Sequence, residues 1–311
     1  MTHTRTENPA DVLADLLDPA IDAFASQVAG ELAGDLAGEV EDEVTLAMSP
    51  GPTDLGSAGP ARLIRPVPVS AWRDRLARME PRRSPVAGAR RLLVVGAHPQ
   101  DESLGAGRLV AGFDGPVVAV TLSAGEQCLA ERDVDPVDIG VQRIAEWRCA
   151  VADLGGTALE SRRWPDRGLH RHVADMARLL VSVLEPEDVV LGPWRHEPGS
   201  DHRAVAVAVH EAAEAAGARV VEYPVWAPYL LTPHDVQDTG QMLVPVESDG
   251  DAELRRRQAL GQYLSQLEPW HPGWEPVVPA ELVQRHLAQL VAEGLGPATG
   301  TVPAEGGQLH P

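Results

Sequence analysis

From Arg91 onward, short runs of β-branched residues alternate with longer segments of helical periodicity. The runs predict strands over residues 92–95, 117–122, 189–191 and 220–223, with a weaker strand near 158–164. The segments between them predict helices over about 102–112, 137–154, 172–184 and 201–216. This alternation predicts an α/β fold, in which a mainly parallel sheet lies between two layers of helices.

Charge divides the chain into further segments. Residues 1–60 contain twelve acidic residues and one basic residue, and they account for more than half of the net charge of -20. Apolar residues at roughly helical spacing suggest that this acidic extension is partly helical. Residues 61–90 form a basic lead-in, interpreted as a solvated helix or as a surface that the acidic segment contacts. We expect the α/β domain over 91–275, followed by a C-terminal helix and a loose tail over 276–311.

Composition excludes several classes of protein. No apolar stretch is long enough to cross a membrane, and the first residues do not resemble a signal peptide. Cys128 and Cys149 are too few for a disulfide framework, which fits a reducing, cytoplasmic location. The net charge of -20 disfavours a nucleic-acid partner. The acidic segment over residues 1–60 is a candidate contact for a protein partner.

Two segments that directly follow predicted strands carry residues suited to chemistry. The sequence AHPQDE covers residues 97–102, and GPWRHEPGSDH covers residues 192–202. Ligands of parallel α/β folds bind at the carboxyl ends of the strands, so His98, Asp101 and His202 are expected to converge there. Two imidazoles and one carboxylate suit Zn²⁺ with an open position for water.

Spacing alone leaves other interpretations open. The turn at Asp101 is also compatible with a capped helix start, and a single histidine such as His202 is often only hydrogen-bonded. His196 is the strongest rival ligand.

The first motif resembles the AHPDDE sequence of the PIG-L/LmbE-like N-acetylglucosaminyl deacetylases, and residues 199–202 resemble the HPDH motif of that family. Weaker landmarks follow in the same order, including SAGE over 123–126, WPDRGL over 164–169 and YLSQ over 263–266. The resemblance spans about residues 90–270. It implies a Rossmann-like fold and hydrolysis of the N-acetyl group of an amino-sugar conjugate.

Residue by residue, the resemblance implies that His98, Asp101 and His202 bind zinc or another divalent metal. It places the sugar-binding positions of the family on Arg143 and Asp166. Trp164, Trp194 and Trp226 each follow a predicted strand, so they are candidates for an apolar wall against a sugar ring or for core packing.

Two positions depart from the family motifs. Gln100 replaces the Asp that serves as general base, and Gly199 replaces the first His of HPDH. An amide does not act as a base near neutral pH. Asp201 is one candidate replacement for the base, and His196 is one for the acid, if the loop between the motifs folds back over the metal. Glu102 is expected to orient a metal ligand without binding the metal itself.

These departures leave two hypotheses: an active zinc-dependent N-deacetylase with a rearranged acid–base pair, or an impaired protein of the same fold that binds metal and sugar without hydrolysis. A nucleotide-dependent enzyme is a third possibility. Gly105 and Gly107 lie too far beyond the first strand for a dinucleotide-binding turn, and position 110 is Val, where a third glycine would be expected.

Overall fold

The computed structural model describes residues 66–294, which contain ten α-helices and seven strands. The helices are α1 (Val69–Leu76), α2 (Gly107–Ala111), α3 (Pro136–Asp153), α4 (Val173–Val183), α5 (Ser200–Ala216), α6 (Ala227–Leu230), α7 (Pro233–Gln237), α8 (Gly250–Leu260), α9 (Leu264–Leu267) and α10 (Ala280–Arg285). The strands are β1 (Leu92–Gly96), β2 (Val117–Thr121), β3 (Thr157–Ala158), β4 (Val189–Pro193), β5 (Arg219–Tyr223), β6 (Gln241–Val246) and β7 (Gln289–Gly294).

The first five strands form one parallel sheet in the order β3-β2-β1-β4-β5. β1 is central and pairs with β2 on one side and with β4 on the other. The order reverses at β1, so the carboxyl ends of β1 and β4 lie side by side where the chain departs in different directions. The predicted α/β fold with a mainly parallel sheet is confirmed.

Alternate residues of each central strand face opposite layers, which explains the near-continuous apolar runs. Leu92 and Val94 belong to a core cluster that also contains Trp147 of α3 and Leu260 of α8. Leu93 and Val95 belong to a second cluster, which includes residues of α4 and α5. The sheet is therefore covered on both faces.

Local structure differs from the sequence prediction in one strand and one helix. The weak strand near 158–164 is only the two-residue β3. The predicted helix over 102–112 is split into a π-helical turn over Glu102–Ala106 and the short α2. Irregular π turns interrupt helices mainly at functional sites, and this one directly follows Asp101.

The C-terminal region adds structure that the sequence analysis did not predict. β7 pairs antiparallel with β6, so the folded region extends beyond the proposed limit at residue 275. α10 lies within the segment for which a C-terminal helix was predicted. The proposed acidic extension over 1–60, and the tail beyond residue 294, lie outside the described residues.

The basic lead-in contains the packed helix α1. Trp72 of α1 is 2% exposed and its indole nitrogen donates a hydrogen bond of 2.8 Å to the carbonyl oxygen of Leu231. The solvated-helix interpretation of this segment is wrong for Trp72, because the indole occupies a third apolar cluster together with Trp194 and Leu243. Among the described residues, no helix is long and apolar enough to cross a bilayer.

The glycine pair at Gly105 and Gly107 provides close packing. A β-carbon on Gly105 would lie 2.2 Å from the Tyr223 ring and 2.7 Å from the carbonyl oxygen of Pro224, and one on Gly107 would lie 2.8 Å from Arg256. The Tyr223 hydroxyl also donates to the carbonyl oxygen of Val95, at 2.8 Å. Both glycines therefore have a packing role in the fold.

We expect Gly105→Ala to lower the free energy of unfolding by at least ~1–3 kcal/mol, because the added methyl group has no space between Tyr223 and Pro224. Urea unfolding would measure the change. Gly250→Ala is the matched control, since no atom lies within 4 Å of its added β-carbon, and its effect should stay within ~0.5 kcal/mol. Equal stability of the two variants would contradict the packing role of Gly105.

Candidate metal centre and active-site cavity

The pairing of β1 with β4 brings the two predicted motifs together. Val94 pairs with Leu191 in the parallel register, so the loops that follow both strands leave the same edge of the sheet. The loop after β1 carries His98 and Asp101, and the loop after β4 leads into α5, which carries His202 in its first turn.

Asp101 closes the turn after β1. Its Oδ2 accepts hydrogen bonds of 2.9 Å from the backbone N–H groups of Ala97 and His98, while its Oδ1 has no hydrogen-bond partner among the described residues. Burial raises the pKa of Asp101, but the neighbouring His202 and His98 outweigh this effect and lower the pKa. Asp101 is thus an ionised carboxylate with one oxygen that has no hydrogen-bond partner among the described residues.

His202 and His98 approach the same carboxylate. His202 Nε2 lies 3.2 Å from Asp101 Oδ2, and His98 Nδ1 lies 3.8 Å from it. His202 is 3% exposed, yet neither ring nitrogen has a hydrogen-bond partner among the described residues. Unpartnered buried polar atoms are costly, and a cation bound by one nitrogen of His202 would satisfy that atom.

The three side chains offer ligand atoms within 4.8 Å of one another. Two imidazoles and one carboxylate are a donor set that suits zinc with a position left open. The residues present therefore fit a divalent metal.

A second group lies at the other nitrogen of His98. His98 Nε2 is 3.0 Å from Asp166 Oδ1 and 3.6 Å from Asp201 Oδ2, so these three residues also place ligand atoms close together. Both carboxylates already accept backbone hydrogen bonds: Asp166 from Gln127 and Arg167, and Asp201 from Arg167 and Leu169. We therefore interpret this group as support for His98.

The contact with Asp166 determines how His98 can act. A neutral imidazole that donates from Nε2 keeps a lone pair on Nδ1, the nitrogen nearer Asp101. Burial lowers the pKa of His98, but the carboxylates of Asp166 and Asp201 raise it to about 10. Binding of a cation at Nδ1 would consequently release a proton.

Arg167 links the two carboxylates. Its backbone N–H donates to Asp166 Oδ1 at 2.8 Å and to Asp201 Oδ2 at 2.6 Å. Its φ of 61° is uncommon for a residue with a side chain. This conformation directs one N–H group toward both acids.

Arg143 and Gln100 form another part of the cavity wall. Arg143 is 2% exposed and donates to the carbonyl oxygens of Gly125 and Pro99, at 2.5 and 3.1 Å, and to Gln100 Oε1 at 2.5 Å. The guanidinium group therefore holds two loops and the side chain of Gln100.

Gly199 is required by the position of His202. A β-carbon on residue 199 would lie 2.7 Å from His202 Nδ1. Because His202 is buried, the ring has little freedom to move away. The absence of a side chain at 199 and the position of the ligand ring are therefore coupled.

These residues line a cavity of about 190 Å³. Of the three candidate tryptophans, Trp226 lines it, whereas Trp164 and Trp194 are core residues with 4% and 0% exposure. The lining residues are His98, Gln100, Cys128, Arg143, Asp166, Arg167, Gly199, Ser200, Asp201, His202, Trp226, Gln266 and Val277.

Glu197 was not identified from the sequence. Its buried carboxylate accepts backbone hydrogen bonds from Val225, Trp226 and Ala227, at 2.8, 2.9 and 3.3 Å. Burial raises the pKa of Glu197, although His202 and the backbone N–H groups oppose the shift. Glu197 thereby positions Trp226 at the cavity. Nothing in the local sequence pattern marks this long-range role.

Two other predicted residues lie apart from the proposed ligands. His196 packs against the edge of Trp194 with ring centroids 5.3 Å apart and is not among the residues that line the cavity. Its role as an acid therefore stays a prediction. Glu102 accepts hydrogen bonds from Ser103 and Tyr263 and contacts neither histidine through a hydrogen bond. Burial, partly opposed by these donors, raises the pKa of Glu102 to about 7.

Comparison with known families finds one match that covers this site. The model of the PIG-L family, described as GlcNAc-PI de-N-acetylase, matches residues 93–213. Residues 93–213 of this chain are therefore similar to the PIG-L domain. The matched span runs from β1 to α5 and includes every residue of the two proposed motifs. No curated protein sequence matches the chain significantly.

Solved structures resemble the PIG-L domain and its surroundings. A triple mutant of a deacetylase of the teicoplanin biosynthetic pathway has 18% identity and a TM-score of 0.51, with 65% of this chain and 95% of that chain covered. The deacetylase of the antibiotic A40926 pseudoaglycone has 22% identity and a TM-score of 0.45, with coverages of 58% and 83%. The N,N'-diacetylchitobiose deacetylase from Pyrococcus horikoshii has 17% identity and a TM-score of 0.44, with coverages of 65% and 78%. The first of these likenesses shows a shared fold.

We expect Asp166→Asn to weaken zinc binding by ~10–100-fold, because an amide cannot accept all the hydrogen bonds from His98, Arg167 and Gln127. Competition with a chromophoric chelator would measure the dissociation constant. The half-exposed Asp175 of α4 provides the control variant Asp175→Asn, which should bind zinc like the original protein. Unchanged affinity in Asp166→Asn would show that Asp166 does not support His98.

Proposed function

We propose that the protein is a metal-dependent hydrolase that removes the N-acetyl group from an amino-sugar conjugate. His98, Asp101 and His202 would hold zinc or another divalent cation. The observation that carries this proposal is the convergence of their ligand atoms within 4.8 Å while Asp101 Oδ1 and both His202 nitrogens lack hydrogen-bond partners among the described residues.

A zinc ion at this position would polarise the amide carbonyl and make a water molecule acidic enough to react near neutral pH. That chemistry suits an acetamide, which is a poor electrophile. The family description, a de-N-acetylase of an N-acetylglucosamine conjugate, supports the choice of reaction and substrate class.

Asp201 is the proposed base. Its carboxylate lines the cavity, and the backbone N–H groups of Arg167 and Leu169 orient it. Its Oδ2 lies 3.6 Å from His98 Nε2, and as a cavity-lining carboxylate it would receive the proton of water.

Trp226 is the proposed contact for the apolar face of the sugar ring, since it is the candidate tryptophan that lines the cavity. Arg143 and Asp166 are the proposed sugar-binding residues, and both line the same cavity. Their hydrogen bonds to Gln100 and His98 give them a supporting role in addition.

Binding without hydrolysis is the second candidate function. The specific observation in its favour is that the side-chain oxygen of Gln100 is occupied by Arg143, so no carboxylate stands at the usual position of the base. In this case the cavity would bind metal and sugar, and the acidic segment over 1–60 would serve a protein partner.

An acetate-release assay distinguishes these two functions. We expect the zinc-loaded full chain to release acetate from N-acetylglucosamine glycosides, and His98→Ala to abolish release because a ligand is lost. Asp201→Asn should lower kcat by ~10²–10⁴-fold, the usual contribution of a general base. His234→Ala is the control, since His234 is 82% exposed on α7. Zinc and sugar binding without acetate release would establish the non-hydrolytic function instead.

A further inference from the structure

The orientation of the Gln100 amide is determined by its partner. The nitrogens of Arg143 can only donate, so the Gln100 atom 2.5 Å from Arg143 Nη2 must be the oxygen. The nitrogen Nε2 therefore occupies the other side of the amide. The oxygen and nitrogen of a glutamine amide have similar shapes, and here the donor Arg143 shows which end is the oxygen.

Arg143 has little freedom to release this amide. It is anchored to the carbonyl oxygens of Gly125 and Pro99, which belong to the loops after β2 and β1. Gly125 has a φ of 64°, and any β-carbon there would overlap the guanidinium group. The close backbone of Gly125 and the hydrogen bond to Pro99 therefore fix Arg143, which is the donor that orients Gln100.

The backbone of Gln100 is also in an unusual conformation. Its φ of 93° lies in a region that residues with side chains rarely adopt and that costs of the order of 1–3 kcal/mol. The turn is retained by hydrogen bonds from Asp101 N to His98 O and from Leu104 N to Gln100 O, at 3.3 and 2.9 Å. This strained turn places the side chain of Gln100 at the wall of the cavity beside His98.

The amide nitrogen of Gln100 makes no hydrogen bond to any residue between 66 and 294 and is not among the fully buried unpartnered atoms. It presents two N–H groups in the cavity beside His98, and the other side-chain donors in the lining include Arg167, Ser200 and Gln266. Gly199, at the family position of a polar histidine, offers no side-chain donor. A substrate acyl oxygen needs such a donor when negative charge develops on it.

We propose that Gln100 donates a hydrogen bond from Nε2 to the acyl oxygen of the substrate and stabilises the negative charge that develops there. This inference rests on the proposed hydrolase function. Water adds to the acyl carbon as Asp201 takes one of its protons, and the carbonyl electron pair moves to the acyl oxygen. Collapse then breaks the C–N bond, the proton from Asp201 goes to the leaving amine nitrogen, and acetic acid forms and ionises to acetate. Gln100 contributes hydrogen bonds and transfers no proton.

Position 100 differs in polarity from the family motif. A donor amide stands there where the motif has a carboxylate, and Asp201 is the proposed base in the same cavity.

Gln100→Glu tests the proposal because it replaces the N–H donor with an oxygen and retains the shape of the side chain and an acceptor for Arg143. We expect kcat for acetate release to fall by ~10²–10³-fold with a small change in KM, as for the loss of an oxyanion donor. Gln100→Met removes the donor without adding charge and should also lower kcat. Gln237→Glu on α7 makes the same chemical change outside the cavity and serves as the control. An increase of kcat in Gln100→Glu would overturn the proposal and assign position 100 to a base.

Acetate binding to the zinc-loaded protein tests the donor separately from turnover. We expect calorimetry to show acetate binding that is ~10–100-fold weaker in Gln100→Met, because a hydrogen bond to a charged oxygen is lost. If the original chain releases no acetate, the hydrolase function fails, and this difference in affinity still supports the donor. If Gln100→Met binds acetate as tightly as the original chain, the donor role is overturned, whatever the activity.

Discussion

The site depends above all on the carboxylate of Asp101. One oxygen accepts the N–H groups of Ala97 and His98 and thereby closes the turn that leaves β1. The same group faces His202, which arrives from a different strand end about one hundred residues later. A single buried charge therefore connects the local turn to the long-range convergence of the proposed ligands, and such a buried charge is costly unless its partners are present.

Two strained residues flank this carboxylate and His98. Gln100 and Arg167 both have positive φ, although neither is glycine. In each case a specific polar contact accompanies the conformation: Arg167 directs its N–H toward two carboxylates, and Gln100 places its oxygen against Arg143. Local strain of this kind persists where the surrounding contacts determine the backbone more strongly than its own preference.

The sequence was sufficient to predict the ligand candidates, because His98 and Asp101 lie three residues apart and each motif directly follows an apolar strand. It was less informative for residues that act through others. Arg143 and Asp166 were assigned to sugar binding, but their hydrogen-bond partners lie 43 and 68 residues away at Gln100 and His98. Glu197, with partners 28 to 30 residues away, had no detectable signal at all.

The sequence by itself determined the parallel sheet, since apolar runs and helical periodicity are local properties that each segment carries alone. It also determined which residue types follow the central strands. Only the tertiary structure decided that Trp226 lines the cavity while Trp164 and Trp194 are buried, that β7 returns to pair with β6, and which way the amide of Gln100 is turned. Those outcomes depend on atoms far apart in the chain, whose contacts arise only when the layers pack.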